Sequence, residues 1–589
     1  MLKERDISAT LGNNSVCTKA VKGCPQGGVL SPLLWSLVVD DLLVKLCRLG
    51  YEAIGYADDL AIIITGKFDL TVSDIMKSAL CEVQNWCVSE GLSINPDKTV
   101  LVPFTKRYRL DLGQISLQGT VIEYSNEVKY LGITLDRRLN WSTQLNNTIT
   151  KAIRVFWACR KLFGRTWGLS PKMIFWLYNT IVKPAVTYAA LVWWPKTQQD
   201  SAIAKCNKLQ RLACLSITGA MRTCPTAAME AVIGLTPLHI SIWKTAAISA
   251  LRVQLMTDML VTESGHMSIL QRIPGIRICF VTDHMTRELC FGRRFRVIIP
   301  ERAEWENGGP CLHPTSLNWF TDGSKTDNGA GAGIYGPNTR VSIPMGKWPS
   351  VFQTEIHAIQ TCALLNLNKG LKGANITIYS DSQAAIKALS SWSFSSKLVK
   401  ECFDGLQRLA SDNRVTLCWV PGHCGVDGNE AADELAREGS SSRIRGPEPY
   451  CSISWSSARA VIKDWGRSLQ MSYWGNLPGL RQAKELVRPY AYKDITALNK
   501  ADLRLLVGYL TGHHRLRYHL HKIGLSQETD CRLCLEDDET TTHILCDCPA
   551  LARLRRGFFQ QEFLRPMDVK SSSIKDLIAL IRTAEGLLQ

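Results

Sequence analysis

The chain has 589 residues, of which 46% are hydrophobic and 21% are charged, and it carries 21 cysteines. This is the composition of an ordinary globular protein of about three or four domains. The residues after Met1 contain no apolar core of a signal peptide, so we expect an intracellular, reducing location in the nucleus or cytoplasm and not secretion. The surplus of 16 positive charges favours nucleic acid as the partner, although a merely basic soluble protein would carry the same charge.

The N-terminal segment begins with 22 residues of no clear pattern, in which Glu4 and Asp6 lie in no strand-like context. A glycine-rich turn that contains Gln26 and Gly27 follows. It opens a helix for which Ser31 is a suitable N-cap.

A hairpin is predicted next, because two apolar strands flank the pair Asp58 and Asp59 and would present both carboxylates at the tip. Two further strand-turn units are predicted, one around Lys98 and one over residues 128–136. An Asp-Asp pair by itself usually marks a simple turn, so the pair indicates a function only together with the neighbouring segments of the chain.

Residues 142–310 have apolar residues at helical spacing, which predicts a helical region. Its most membrane-like run, Ile174 to Trp194, has Lys183 and Pro184 near the middle. We therefore interpret that run as two packed helical pieces and expect no membrane span.

Residues 314–441 predict the element order β, β, β, α, β, α, α, β, α. Within this segment a small-residue strand, residues 329–335, can pack closely against a neighbour. A linker follows at residues 439–449.

Four acidic residues stand out in this α/β segment. Asp322 ends a short strand in a tight turn, Glu355 lies in the first turns of a helix, and Asp381 follows a β-branched strand. A Pro-Gly-His loop with His423 leads into the helix that carries Asp433. Each acid alone would more often be a cap, a turn former or a solvated residue, but the joint arrangement is specific.

This arrangement resembles the RNase H family of the cellular type. The resemblance implies a mixed five-stranded sheet with helices, and hydrolysis of the RNA strand of an RNA–DNA hybrid. It implies that two Mg²⁺ ions are held by Asp322, Glu355, Asp381 and Asp433, because Mg²⁺ prefers hard oxygen ligands. His423 resembles the family's mobile proton-handling histidine.

The N-terminal segments resemble, in order and spacing, the later palm motifs of reverse transcriptases of non-LTR (LINE-type) retrotransposons. The resemblance implies that Asp58 and Asp59 hold metal, that Gln26 and Gly27 lie beside template and nucleotide, and that Lys98 faces phosphate. The fingers and the strand with the first aspartate have no counterpart here. We therefore expect an N-terminally cut polymerase that does not extend a primer.

Residues 450–525 are predicted to be helical and basic, and a histidine-rich helix at 511–525 is suited to phosphate contact. The alternative for its histidines is a simple exposed polar face.

A cysteine and histidine cluster follows at residues 526–550. Cys531, Cys534, His543 and Cys548 have the spacing C-x₂-C-x₈-H-x₄-C. Three thiolates and one imidazole at these offsets suit a tetrahedral Zn²⁺ ion. Cys546 is a rival to Cys548 as the last ligand.

The whole chain resembles the C-terminal part of an insect-like LINE-type polyprotein with a multidomain α/β fold. We expect a partial reverse transcriptase palm at 1–141, a helical thumb or connector at 142–310, RNase H at 314–441, a basic helical segment at 450–525, a CCHC zinc knuckle at 526–550 and a helical tail at 551–589. The expected partners are RNA–DNA hybrid, RNA and DNA. Two alternatives stay open: a catalytically inert nucleic-acid-binding remnant, and a reverse transcriptase whose start is missing.

Overall fold

The computed structural model describes residues 5–12, 14–20, 23, 27–164, 167–256, 265–306, 309–310, 315–444, 446–492 and 495–588. The chain divides into two compact units, residues 1–144 and residues 145–589. Each unit is described by itself.

In the first unit every described strand belongs to a two-stranded antiparallel ladder. Its elements are β1 (Arg5–Leu11), β2 (Asn14–Ala20), α1 (Ser31–Arg48), β3 (Glu52–Tyr56), β4 (Asp59–Ile63), α2 (Asp69–Glu90), β5 (Ile115–Leu117), β6 (Thr120–Ile122), β7 (Glu127–Tyr130) and β8 (Ile133–Asp136). Helices α1 and α2 pack together through Leu42, Leu46, Val83 and Trp86, because both helices carry apolar residues on the facing sides.

Two N-terminal expectations are wrong. Asp6 does lie in a strand, because β1 pairs with β2 along its whole length. Ser31 is the first residue of α1 and not its cap, since the cap position is held by Leu30, whose side chain makes no capping bond.

The second unit begins with mainly helical structure, as expected for residues 142–310. Its elements are α3 (Ser142–Arg160), α4 (Pro171–Leu177), a π-helical turn at Tyr178–Val182, α5 (Lys183–Thr187), α6 (Ala190–Trp193), α7 (Asp200–Thr218), α8 (Thr226–Ile233), α9 (Leu238–Met256), β9 (His284–Leu289), β10 (Arg296–Ile298) and α10 (Arg302–Glu306). In the described residues no single helix is long and apolar enough to cross a membrane; α8 and α9 meet that criterion only together, across a 58° bend.

A six-stranded mixed sheet forms the centre of the next segment. Its elements are β11 (Leu317–Lys325), β12 (Ala330–Gly336), β13 (Thr339–Gly346), α11 (Val351–Asn368), β14 (Asn375–Ser380), α12 (Gln383–Ser390), β15 (Ser393–Ser396), α13 (Lys397–Asp412), β16 (Arg414–Trp419) and α14 (Asp427–Ser441). The strand order is β10-β16-β14-β11-β12-β13.

The expectation of five strands is wrong by one strand. β10, from the segment assigned to the connector, pairs in parallel with β16. The physical reason is that β16 would otherwise be an open edge, and β10 satisfies its backbone groups. β9 likewise pairs with β15, outside the main sheet. The predicted order of elements is therefore wrong at one point, because β15 separates the two helices α12 and α13 that were expected to follow each other directly.

The C-terminal residues are helical. The elements are α15 (Trp455–Asn476), α16 (Arg481–Leu486), α17 (Lys500–Thr511), α18 (Arg517–Lys522), α19 (Ala552–Phe559), α20 (Pro566–Ser571) and α21 (Ile574–Leu588). The predicted helix at 511–525 is wrong in extent, because α17 ends before Gly512 and α18 has only six residues. The alternative prediction, that these histidines form an exposed polar face, is also wrong for His514 and His519, because both are buried.

Candidate active site and metal centres

Strand register brings the first two acids together. β11 and β14 run parallel, and Thr321 pairs with Ser380. Asp322 and Asp381 each come one residue later, so they emerge side by side. The expectation that the strand ends at Asp322 is wrong, because β11 continues through Lys325, which pairs with Ala330 of β12.

Helix α11 supplies the third acid. It starts at a capping box formed by Ser350 and Gln353, which sets where its first turns lie. Gly323 allows the helix to lie close to β11, since a Cβ there would be 2.6 Å from the backbone nitrogen of Glu355. Carboxylate oxygens of Asp322, Glu355 and Asp381 consequently lie within 4.8 Å of one another.

Burial and mutual repulsion act on all three carboxyl groups. Burial and the negative charge of the neighbouring carboxylates raise the pKa of Asp322, of Glu355 and of Asp381. Glu355 is 5% exposed, and its Oε2 atom has no hydrogen-bond partner among the described residues. A hard cation would relieve both the repulsion and the unpartnered oxygen, so this donor set fits Mg²⁺.

Asp433 lies beside this group but outside it. Helix α14 packs directly on β12, because a Cβ at Gly333 would be only 2.1 Å from the carbonyl oxygen of Ala432. The small-residue strand thus packs closely, as expected, and sets the position of Asp433. Its carboxylate forms an ion pair of 2.6 Å with Arg437.

His423 lies on the loop after β16, with a left-handed φ of 54° and a side chain that is 75% exposed. Its Nδ1 atom is 3.8 Å from Oδ2 of Asp433. An exposed imidazole on a loop at the rim of the carboxylates can move toward a bound substrate.

Two supporting residues, Trp419 and Arg437, were missed from the sequence, and Gly422 was noted only as part of the Pro-Gly-His loop. The Trp419 indole donates to the Asp381 carbonyl oxygen over 3.0 Å. Gly422 leaves room for Asp381, because a Cβ there would be 2.7 Å from its Oδ2 atom. Of the two missed residues, only Arg437 had a detectable signal, the i, i+4 spacing from Asp433.

The C-terminal cluster forms a second group of donors. Side-chain atoms of Cys531, Cys534, His543 and Cys548 all lie within 4.8 Å of one another. Sulfur ligands of a tetrahedral Zn²⁺ ion stand roughly 3.7 Å apart, and the Cys531 and Cys548 sulfurs are 3.9 Å apart. The donor types and spacing therefore fit zinc. The rival, Cys546, is buried but is not a member of this group.

Charged residues surround the cluster. His543 Nδ1 faces Asp537 at 3.9 Å, which leaves its Nε2 atom directed to Cys534 at 3.2 Å. Arg555 is fully buried, and its guanidinium donates to the carbonyl oxygens of Cys548 and Ile544. These contacts fix the orientation of the donors.

The polymerase-like hairpin forms as expected, with β3 and β4 antiparallel and Tyr56 opposite Asp59. Asp58 and Asp59 are exposed at its tip. The strand-turn unit predicted around Lys98 is wrong, because α2 continues to Glu90, residues 91–100 contain no strand, and Lys98 is exposed on a short 3₁₀ turn. No third acidic residue of the described part of the chain joins the Asp58–Asp59 pair in a metal-binding group. Gly27 has a φ of 82°, whereas Gln26 lies outside the described residues.

Comparison with known families gives two matches. Residues 7–135 match the family model of reverse transcriptase (RNA-dependent DNA polymerase). Residues 314–441 match the family model of RNase H.

Among curated proteins, the Pol polyprotein of the type-1 retrotransposable element R1 from Nasonia vitripennis is 26% identical over 220 residues, which are 36% of this chain and 65% of that protein. The RNA-directed DNA polymerase from the mobile element jockey of Drosophila melanogaster is 30% identical over 237 residues, 38% of this chain and 25% of that protein. The chain therefore spans less than two thirds of each relative. RNase H1 of Halobacterium salinarum, a solved structure, is 21% identical and covers 21% of this chain and 96% of its own, with a TM-score of 0.18.

Proposed function

Because the chain belongs to the LINE-type retrotransposon polyproteins that carry reverse transcriptase and RNase H domains, we propose that it hydrolyses the RNA strand of RNA–DNA hybrids. The observation that carries the proposal is the group of Asp322, Glu355 and Asp381, three buried carboxylates within 4.8 Å of one another. Such a group is costly to keep unless a cation or a reaction uses it.

Asp322, Glu355, Asp381 and Asp433 would hold two Mg²⁺ ions, which when bound supply an activated water and stabilise the leaving 3′-oxygen. Arg437 keeps the Asp433 carboxylate in place through its ion pair. His423 moves a proton at an imidazole nitrogen as the bond breaks, and its exposure lets it reach the scissile phosphate. The products are a 5′-phosphate and a 3′-hydroxyl end.

The test is cleavage of a hybrid labelled on the RNA strand by the full chain, in Mg²⁺ and in Mn²⁺. We expect nicking of the RNA strand and no cleavage of duplex DNA. Asp322→Asn and Asp381→Asn should each lower the rate about 10²–10³-fold, as expected for the loss of one group that stabilises the transition state. His423→Ala should have a milder effect.

The matched control is Asp412→Asn, an exposed aspartate at the end of α13, which should leave the rate unchanged. A wild-type chain that leaves the hybrid intact with either metal would refute the proposal. It would favour the alternative of an inert nucleic-acid-binding remnant.

We also propose that the C-terminal cluster binds one structural Zn²⁺ ion through Cys531, Cys534, His543 and Cys548. Elemental analysis of the purified chain should find one zinc per molecule. Cys531→Ser and His543→Ala should each abolish stoichiometric binding, since structural zinc sites are closed by four protein ligands.

Cys546 provides the matched control for the last ligand. Cys548→Ser should remove the zinc, whereas Cys546→Ser should keep it, because the Cys546 sulfur lies outside the group of four donors. The opposite result for these two variants would make Cys546 the ligand.

A further inference from the structure

Helices α9 and α15 lie side by side and carry almost only positive charge. The charged residues of the two helices are Lys244, Arg252, Arg459, Lys463, Asp464 and Arg467. At one end of the pair the guanidinium of Arg252 lies over the Trp455 ring, 5.6 Å from its centre. Near the middle of both helices Lys244 contacts Gly466, so the helices run antiparallel.

Gly466 brings these cations together. A Cβ at Gly466 would be only 2.4 Å from Cδ of Lys244, so the stem of Lys244 lies directly on the backbone of α15. The ammonium group of Lys244 therefore lies near Lys463 and Arg467, one on each side of the glycine. Burial and then these two positive charges lower the pKa of Lys244.

Lys183, the first residue of α5, extends the cluster. Burial, and then the positive charge of Lys244, lower the pKa of Lys183 to about 8. The hydrogen-bond partner of its ammonium group is Asn179 Oδ1, at 3.5 Å. In the described part of these helices the one nearby acid is Asp464, which is paired with Arg467 at 2.7 Å.

These positive charges repel one another, and an anion bound between them would relieve the repulsion. The remaining cations form a stripe, because Arg459, Lys463 and Arg467 recur every four residues on α15. The stripe from Arg459 to Arg467 extends about 12 Å along the helix, so it suits consecutive phosphates of a polyanion and not a single small ion.

The stripe is attached to the candidate active site. Gln353 of α11 donates to the carbonyl oxygen of Ser452 over 2.7 Å, just before α15 begins. Ser457 of α15 donates to the carbonyl oxygen of Trp348 over 3.0 Å, just before α11 begins. Helix α11 carries Glu355, so the stripe and the carboxylates belong to one connected framework.

We propose that this basic face, formed by Lys183, Lys244, Arg252, Arg459, Lys463 and Arg467, binds the sugar-phosphate backbone of the RNA–DNA hybrid. The choice of the hybrid as ligand rests on the proposed function. The recognition chemistry is that of phosphate groups and lysine or arginine side chains, which positions a duplex without reading its sequence.

The test is the salt dependence of hybrid binding by the full chain, with Mg²⁺ left out so that the hybrid stays intact. The variant is Lys244→Gln with Arg459→Gln and Lys463→Gln. The slope of log K against log salt should become shallower by roughly 0.9 for each lost phosphate contact, or about 2.7 for three. The control removes three exposed cations elsewhere, by Lys372→Gln, Arg553→Gln and Lys575→Gln, and should keep the wild-type slope.

A slope and affinity that are equal in the two triple variants would overturn the proposal. Should the triple variant fold poorly, Lys463→Gln alone, an exposed position, should still reduce the slope by roughly 0.9. Inorganic phosphate at matched ionic strength should not displace the hybrid more than chloride does. Preferential displacement would identify a small-phosphate site and also overturn the proposal.

The two proposals fail separately. If the chain binds hybrid through this face but does not cleave it in Mg²⁺, the proposed cleavage is wrong and the proposed binding by the basic face is supported. If it cleaves hybrid and the triple variant has an unchanged KM and salt slope, the basic face fails and the proposed function stands. With both correct, the triple variant raises KM and keeps kcat at saturating hybrid.

Discussion

At the scale of one residue, the ionised carboxylate of Asp322 lowers the stability of the folded protein. Its carboxylate is 6% exposed and faces other carboxylates, so burial and the charges of Asp381 and Asp433 raise its pKa. In metal-free protein the ionised group is therefore a cost to the folded state. A bound cation would remove that cost.

The first prediction concerns Asp322→Asn in metal-free protein. The variant should be more stable than wild type at pH 8, by at least about 1.4 kcal/mol, the value of one pKa unit. Thermal unfolding with and without Mg²⁺ measures it, and Mg²⁺ should raise the unfolding temperature of wild type more than that of the variant. A destabilised variant would contradict the prediction, and Asp412→Asn serves as the control.

A second buried acid, Glu230, lies in α8, far along the chain from the acids of the candidate active site. Burial raises its pKa from 4.5 to about 8, and only a hydrogen bond with Gln210 opposes the shift. The folded state thus binds the proton more tightly than the unfolded state. Stability from this group is complete below about pH 4.5 and falls as pH rises to about 8.

The second prediction follows for Glu230→Gln. Its unfolding temperature should equal that of wild type near pH 5 and exceed it increasingly up to pH 8, because wild type loses up to about 1.4 kcal/mol per pH unit in this window. Thermal unfolding of both chains across that range measures the difference. A difference that stays constant with pH would show that Glu230 does not titrate in this way.

At the scale of elements, the contact between β12 and α14 positions Asp433. The strand can approach the helix backbone only because Gly331 and Gly333 have no side chains there. A methyl group at either position would push the helix away.

The third prediction is that Gly333→Ala destabilises the chain by about 1–3 kcal/mol, the usual cost of overpacking, and lowers hybrid cleavage as Asp433 shifts. The control is Gly405→Ala in α13, where a Cβ would meet nothing within 4 Å and alanine favours the helix. Chemical denaturation and the cleavage assay measure both variants. Equal effects at the two positions would be evidence against the close packing.

At the scale of the whole molecule, the C-terminal cluster is tied to the helices that end the chain. Arg532 forms an ion pair with Glu539 at 2.7 Å and also donates to the carbonyl oxygen of Leu588 in α21. Helix α21 is held to α17 by the ion pair of Arg582 with Asp502. Metal bound at the cluster would therefore stabilise more than the loop that holds it.

The fourth prediction rests on the proposed Zn²⁺ ion: a chelator should increase amide hydrogen exchange in residues 526–588 of the full chain and leave the sheet of residues 317–419 protected. The reason is that metal binding supplies folding free energy to a small module, whereas the sheet has its own apolar core. Hydrogen exchange before and after chelation measures it. Unchanged protection of residues 526–588 would show that the module folds without metal.

The sequence by itself determined the order of elements in residues 314–441 except for the short strand β15, and it determined the convergence of Asp322, Glu355 and Asp381. These features depend on local periodicity and on adjacent parallel strands, which bring residues at equivalent strand positions to one edge. The grouping of Cys531, Cys534, His543 and Cys548 follows for the same reason, since short spacings in the chain limit how far apart these side chains can lie.

Only the tertiary structure decided the features that join distant segments. The sixth strand of the sheet, β10, pairs with β16, which lies more than 100 residues later in the chain. His519 is buried because Thr223 and its neighbours cover it, although its own segment predicts an exposed basic face. Lys244 and Lys463 form one basic face because Gly466 lets two helices touch. Such contacts depend on packing between segments, and no local pattern of residues encodes them.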